Sequence, residues 1–305
     1  MEVSAMEGIA EDIIRPASPS DEEDLRRIWK TVFGDSDELI KTFFDSYFAE
    51  YSVFLAESES RPVAAGHIIH VGNLALGTER LLCGMIYSVA TLPDFRGRGL
   101  GTAIVRDLLS LGFPENLYEA IVLCPSSDNL FEYYSSRTDL IDWFYVAQTH
   151  YSSIPISSDN ATLREVDAKE YATLRGEILS GIPHIEFDNK ALSFQSSLCK
   201  QYGGGFFSAD LPKGSACVLI EIQADGAVWI KELLSDTEDE HSILFAVSEM
   251  FPSSEYLVRT PAYASKPASQ IRRFGMLSWS NMNAKEQMDN ADKSLALPYY
   301  GIAFD

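Results

Sequence analysis

The chain has 305 residues, of which 46% are hydrophobic, and a formal net charge of -21 at pH 7. That length allows two domains with cores of their own, and the acidity, with no clustered lysine and arginine, argues against nucleic acid as a partner and suits a cationic one better. The apolar runs are only strand-length, the first residues carry Glu2, Glu7, Glu11 and Asp12 where a leader would be basic, and the four cysteines (83, 124, 199 and 217) show neither metal nor disulfide spacing, so the expectation is a cytoplasmic protein, off the membrane, with reduced thiols and no metal.

Ile13 and Ile14 open a short strand. Ser20 and Glu23 read as a capping box ahead of a helix that turns Leu25, Ile28, Trp29, Val32 and Phe33 to one face. After Gly34-Asp35-Ser36 a second helix, over 37–50, presents Leu39, Ile40, Phe43, Phe44, Tyr47 and Phe48. Core packing is the ordinary use of such a face. Strands follow at 53–57, 62–74 and 81–91, the last two joined at Leu76-Gly77-Thr78, as an antiparallel meander. His67 and His70 stand at odd separation on the middle strand, so they face opposite sides, as ordinary structural histidines do.

The strand ending at Thr91 leads into Arg96-Gly97-Arg98-Gly99-Leu100-Gly101-Thr102, after which Ile104, Val105, Leu108 and Leu109 repeat at helical spacing up to Gly112. Glycines at a helix N-terminus let unpaired amides converge on an anion, and Arg96 and Arg98 add positive charge suited to a polyphosphate. A Walker loop is excluded, because Gly101 is followed by Thr102-Ala103 and no lysine. A dinucleotide fingerprint is excluded too, because the sixth position from Gly97 is Thr102.

What remains, Arg96-x-x-Gly99-x-Gly101 between a strand and a helix, resembles the pyrophosphate motif of the GNAT acyltransferase superfamily. The next strand, 118–123, runs into Cys124-Pro125-Ser126-Ser127-Asp128-Asn129-Leu130-Phe131-Glu132-Tyr133-Tyr134, in which Pro125, Leu130 and Phe131 resemble the Eis-like multidomain branch. The resemblance implies acetyl-CoA as co-substrate, with its pyrophosphate on Arg96, Gly97, Arg98, Gly99, Leu100, Gly101 and Thr102. It implies splayed strands with pantetheine between them, bonded to the backbone of Val89, Ala90 and Thr91. It also implies a tyrosine that protonates the departing thiolate, at Tyr134 with Tyr133 as the alternative, and an acceptor pocket walled by the first helix pair. The family's Gly-Phe after that tyrosine is replaced by Ser135-Ser136-Arg137-Thr138-Asp139. The helix between the two strands is expected to make them parallel.

After the polar stretch 152–160 the order of elements repeats: a strand at 161–166, helices at 167–180 and about 190–201, strands at 205–209, 216–223 and 227–234, a helix at 238–251, a strand at 256–260 and a helix ending near Arg273. This resembles a second GNAT fold. Its would-be phosphate loop, Leu234-Ser235-Asp236-Thr237-Glu238-Asp239-Glu240, is acidic and holds a Thr237/Glu240 capping box, so no coenzyme is expected there.

The fold expected is therefore α/β of the α+β kind: a catalytic GNAT-like domain over 1–151, a degenerate GNAT-like domain over 161–280, each a mixed, mostly antiparallel sheet flanked by helices, and a tail over 281–305 that docks near the active site. The tail's end, Leu295 to Asp305, is too apolar to stay in water. In Eis-like enzymes the terminal carboxylate is the general base, which by resemblance falls on Asp305. The expected function is transfer of an acetyl group from acetyl-CoA to a primary amine by direct attack, with no nucleic acid, membrane or metal involved. A non-catalytic acyl-CoA sensor or scaffold is the alternative, and an aminoacyl transferase, which would need a basic face for transfer RNA, ranks last.

Overall fold

The structure is a computed structural model that describes residues 12–49, 52–113, 117–157, 161–237, 239–279 and 297–304. The chain falls into two compact units, one of residues 1–69 with 86–115 and one of residues 70–85 with 116–305.

In the first unit β1 (Ile13–Pro16) pairs antiparallel with β2 (Val53–Ser58), which pairs antiparallel with β3 (Arg61–Leu76). Glu59 and Ser60 turn that hairpin with φ of 51° and 62°. Two helices, α1 (Glu22–Phe33) and α2 (Asp37–Tyr47), follow β1. Leu25, Ile28 and Trp29 of α1 and Leu39, Ile40, Phe43, Phe44 and Tyr47 of α2 are buried, as their periodicity requires, while Phe33 is exposed. The entry to α1 differs from expectation: the bonds run between Ser18 and Asp21, two residues before Ser20 and Glu23, with the Ser18 amide and Oγ both donating to Asp21 Oδ2 at 2.8 Å, because Pro19 opens a 3-10 turn and Arg15 forks onto Asp21 at 2.8 Å through both of its terminal nitrogens. Gly34, at φ 77°, closes α1 by bonding the Lys30 carbonyl.

The strand β4 (Glu79–Thr91) follows β3, and the tip of their hairpin, 70–85, belongs to the second unit. There β3 pairs antiparallel with β8 (His184–Phe187), and a β-carbon on Gly72 would lie 2.1 Å from the Glu186 carbonyl oxygen, so only glycine allows the approach. Beyond the first unit's α3 (Leu100–Gly112) come β5 (Ala120–Leu123), α4 (Asp128–Ser135), β6 (Ile141–Tyr151), β7 (Thr162–Glu165), α5 (Ala168–Ile178), α6 (Asn189–Gln201), β9 (Gly205–Asp210), β10 (Ser215–Ile222), β11 (Val228–Ser235), α7 (Glu240–Met250), β12 (Tyr256–Pro261) and β13 (Gln270–Trp279). The strand order is β5-β13-β6-β12-β11-β10-β9-β7, a mixed and mostly antiparallel sheet in which β11 and β12 run parallel over Val228–Ile230 and Tyr256–Val258. Leu163, Val218, Ile230, Ile243, Val247 and Val258 form part of its core.

The sequence from β7 to β12 repeats that from β1 to β5, with β8 added. The compact units nevertheless depart from the expected division at 151–161. The reason lies in β13, read from sequence as the end of a helix: it is a strand inserted between β5 and β6, and β6, from before the polar stretch, also pairs with β12 from after it. Backbone hydrogen bonds thus bind the two sides of the expected boundary into one unit. Among the described residues no helix is long and apolar enough to cross a membrane.

Candidate active site

The loop read from sequence as an anion cradle lies in the first unit. Its glycines earn their places by conformation: Gly97 and Gly99 hold φ of 81° and 82°, and a β-carbon on either would find open space, so the requirement is the left-handed backbone and not crowding. Gly99 is the N-cap of α3 and, lacking a side chain, offers no cap bond to the first-turn amides. Arg96 straps the loop to the end of β4 through Nε to the Thr91 carbonyl at 3.1 Å. Arg98 lies over the Phe95 ring at 4.8 Å, with Nη1 3.7 Å from Asp12 Oδ1. Both arginines and both of these glycines are exposed, whereas Leu100 and Thr102 are buried and anchor the helix. Gly101 would place a β-carbon 3.7 Å from Val89 Cγ1 and 3.8 Å from Thr91 Oγ1, so the helix start lies against the end of β4.

Within β4, Ser88 has φ 54°, in the left-handed region that a serine seldom enters, immediately before Val89, Ala90 and Thr91. Ala90 is buried, and Val89 and Thr91 are half-buried. No residue pattern announces this break, and sequence reasoning missed it.

Beside β4, His67 of β3 is buried in an aromatic enclosure, with ring centroids 5.1 Å from Phe43 and 5.8 Å from each of Trp29 and Phe44. Tyr87 lies 5.8 Å from Trp29 and 5.4 Å from Phe43. Burial pulls the His67 pKa down to about 3, so the ring is neutral at physiological pH and is no proton acceptor for an ammonium.

In the second unit Tyr134 is buried on α4, edge-on to Tyr133 at 5.3 Å between centroids. Burial first, and the neighbouring Tyr133 second, push its pKa up to about 12, so its hydroxyl keeps its proton across the neutral range. Where the family pattern has Gly-Phe, Thr138 closes the helix: its Oγ1 and its backbone N–H donate to the Tyr134 carbonyl at 2.8 and 2.9 Å. Asp305 and residues 281–296 lie outside the described residues. Residues 299–304 are packed in the second unit, with Tyr299 bridged to His184, the Tyr300 and Gly301 carbonyls accepting from Arg175 at 2.9 Å and Arg259 at 3.2 Å, and Phe304 against Phe187 and Phe194.

The counterpart of the cradle, before α7, is closed by its own side chains. Asp239 caps the helix by accepting from the Ser242 amide at 3.1 Å, in place of the expected Thr237/Glu240 box, and Thr237 bonds the Asp239 amide. Among the described residues no group of three or more histidine, cysteine, aspartate or glutamate side chains is placed to hold a metal ion.

A family model for the acetyltransferase (GNAT) domain matches residues 13–136, a stretch that contains both the cradle and Tyr134. The chain carries a GNAT acetyltransferase domain. No curated protein matches it in sequence. Among solved structures it is similar to a GCN5-related N-acetyltransferase from Anabaena variabilis (16% identity, TM-score 0.67, 89% of this chain and 74% of that one). It is also similar to Eis1 from Mycobacterium abscessus (12% identity, TM-score 0.62, 89% and 75%) and to a probable N-acyltransferase from Enterococcus faecalis (14% identity, TM-score 0.67, 88% and 73%). At these identities the likeness is one of fold, and it extends well past the GNAT domain into the second half of the chain.

Proposed function

We propose that the protein is an N-acyltransferase that moves an acetyl group from acetyl-CoA to a primary amine. The observation that carries this reading is the start of α3: two left-handed glycines and an uncapped helix N-terminus with Arg96 and Arg98 at its rim, inside a GNAT domain. Amides aimed outward at a positive helix end favour the coenzyme's pyrophosphate, and the arginines supply short-range attraction that the chain's overall acidity opposes. Gly97, Gly99, Leu100, Gly101 and Thr102 would contribute backbone, and Val89, Ala90 and Thr91 would bind the pantetheine arm.

In the reaction the neutral amine attacks the thioester carbonyl, the carbon–sulfur bond breaks, and the sulfur leaves as thiolate. Tyr134 gives its proton to that sulfur, and the ammonium formed on the acceptor loses one to a base. A backbone amide near Val89 or Ala90, after the break at Ser88, steadies the developing oxyanion. Asp305 remains the proposal for the base, by resemblance alone. The acidity of the chain supports a cationic acceptor, and four free cysteines, three of them buried, support a reducing compartment such as the cytoplasm. The acidic cap of α7 supports the reading that the second half binds no coenzyme.

A screen of amines for thiol release from acetyl-CoA tests the proposal. Turnover with a polyamine, aminoglycoside or peptide amine supports it. Tight binding of acetyl-CoA without turnover by any of them would favour a sensor or scaffold, the reading to which the replaced Gly-Phe after Tyr134 points.

A further inference from the structure

The helix that carries Tyr134 is too short to hold itself in place. It has eight residues, well below the roughly 12 to 15 at which an isolated helix becomes even marginally stable, and Ser127 at its N-cap makes no side-chain cap bond. Its orientation has to come from its neighbours. One neighbour from far along the chain makes several polar contacts with it: Arg273, on the strand β13 that is inserted between β5 and β6.

The Arg273 guanidinium grips α4 at three successive places. Nη2 donates to the Asp128 carbonyl at 3.2 Å and lies 3.5 Å from Asp128 Oδ1, Cζ stands 4.7 Å above the Phe131 ring, and Nη1 donates to Glu132 Oε1 at 2.7 Å. The same Nη1 reaches Asp142 of β6 at 3.3 Å, so one planar group ties α4 to two strands. The register of β13 against β6 shifts immediately after Arg273, at Gly275, where a β-carbon would come within 3.0 Å of Tyr300. Such irregularities re-aim the side chains beside them. With Thr138 closing the other end, α4 is fixed at both termini.

We propose that Arg273 is a positioning residue for the acyl transfer: it holds α4 so that Tyr134 is aimed at the departing sulfur. The inference rests on the reading of Tyr134 as the proton donor. It gives the second half of the chain a direct part in catalysis, delivered from a strand 141 residues away from its partner Glu132. Arginine is required because only its rigid fork meets a carboxylate, a carbonyl and a ring face together, which a lysine ammonium cannot do.

The test uses the full chain and thiol release from acetyl-CoA with water as the acceptor, so that no amine need be known. In that reaction water adds to the thioester carbonyl, the carbon–sulfur bond breaks to give acetate, and the coenzyme sulfur that leaves as thiolate takes up a proton. Arg273→Met is expected to lower kcat about 10-fold while KM for acetyl-CoA stays within about 2-fold, because the cradle is untouched; Arg273→Lys should recover only part of the loss. In the Tyr134→Phe background, Arg273→Met should add less than about 2-fold, since a donor that is gone cannot be misaimed. Amide exchange over 128–138 should rise. Glu132→Gln, at a side chain 66% exposed, is the milder variant should Arg273→Met fold poorly, and it should show the same dependence on Tyr134. The inference is overturned if Tyr134→Phe slows turnover while Arg273→Met and Glu132→Gln do not, or if their losses persist undiminished without the tyrosine hydroxyl. If Tyr134→Phe itself turns over at the wild-type rate, the reading of Tyr134 falls and the inference with it.

Discussion

Arg175 of α5 and Glu232 of β11 meet at 3.0 Å in the interior of the second unit, with side chains 3% and 0% exposed. The pair is a junction more than a bridge. Tyr171 donates to Glu232 at 2.6 Å, while the remaining Arg175 nitrogens hold the Ile185 carbonyl at 2.6 Å and the Tyr300 carbonyl at 2.9 Å, so one buried group joins a helix, two strands and the residues near the C-terminus. Gly301 belongs to the same arrangement, because a β-carbon there would meet Glu232 Oε1 at 2.3 Å.

Breaking this pair from one side should be costly. Arg175→Met leaves a buried carboxylate without its cation and is expected to destabilise the protein by about 3–5 kcal/mol, measured by urea unfolding. Replacing both partners, as Arg175→Met with Glu232→Leu, should cost less than the sum of the single changes, because no charge is then left stranded. Additive losses would show that the pair acts through packing alone.

His67 makes the first unit sensitive to acid. Its pKa of about 3 when folded lies below the ordinary histidine value of 6.5, so between those values the unfolded chain takes up a proton that the folded protein refuses. Stability is therefore fully present above the unfolded pKa and falls with pH across this window, by up to about 1.4 kcal/mol per pH unit from this one group. His67→Leu should flatten the stability curve between pH 6 and 4, followed by chemical unfolding at each pH. A curve of unchanged slope would move the acid sensitivity elsewhere.

Tyr134 is predicted to act as an acid and not as a pH switch. With its pKa pushed up to about 12, no loss of rate assignable to it is expected up to pH 9. Tyr134→Phe should lower kcat by roughly 10- to 1000-fold and leave acetyl-CoA affinity unchanged, as read by steady-state kinetics beside a binding measurement. Loss of affinity with kcat preserved would assign the residue to binding.

The elements legible in the sequence are those whose signal is local. The helices α1, α2 and α3 follow from apolar spacing and the strands β2, β3 and β4 from alternation and turns, while the glycines before α3 read as room for an anion to approach, and the left-handed backbone at Gly97 and Gly99 is what the structure adds. The misreadings are non-local. Strand β13 pairs with β5 and β6, far away in the chain, and nothing in Gln270 to Trp279 names those partners; β6 and β8 went unread for the same reason. Arg273 looks like a surface cation until α4 is placed beside it, and the left-handed Ser88 carries no residue signature at all.

The most direct measurement is calorimetric titration of the full chain with acetyl-CoA, repeated on Arg98→Glu combined with Gly99→Glu. The double change puts a carboxylate where each cradle residue stood and forces a side chain onto a backbone at φ 82°. Binding by the wild-type chain that the variant abolishes, with the fold intact by circular dichroism, is the result expected of a pyrophosphate cradle. Absence of binding by the wild-type chain, or equal binding by both, would contradict it.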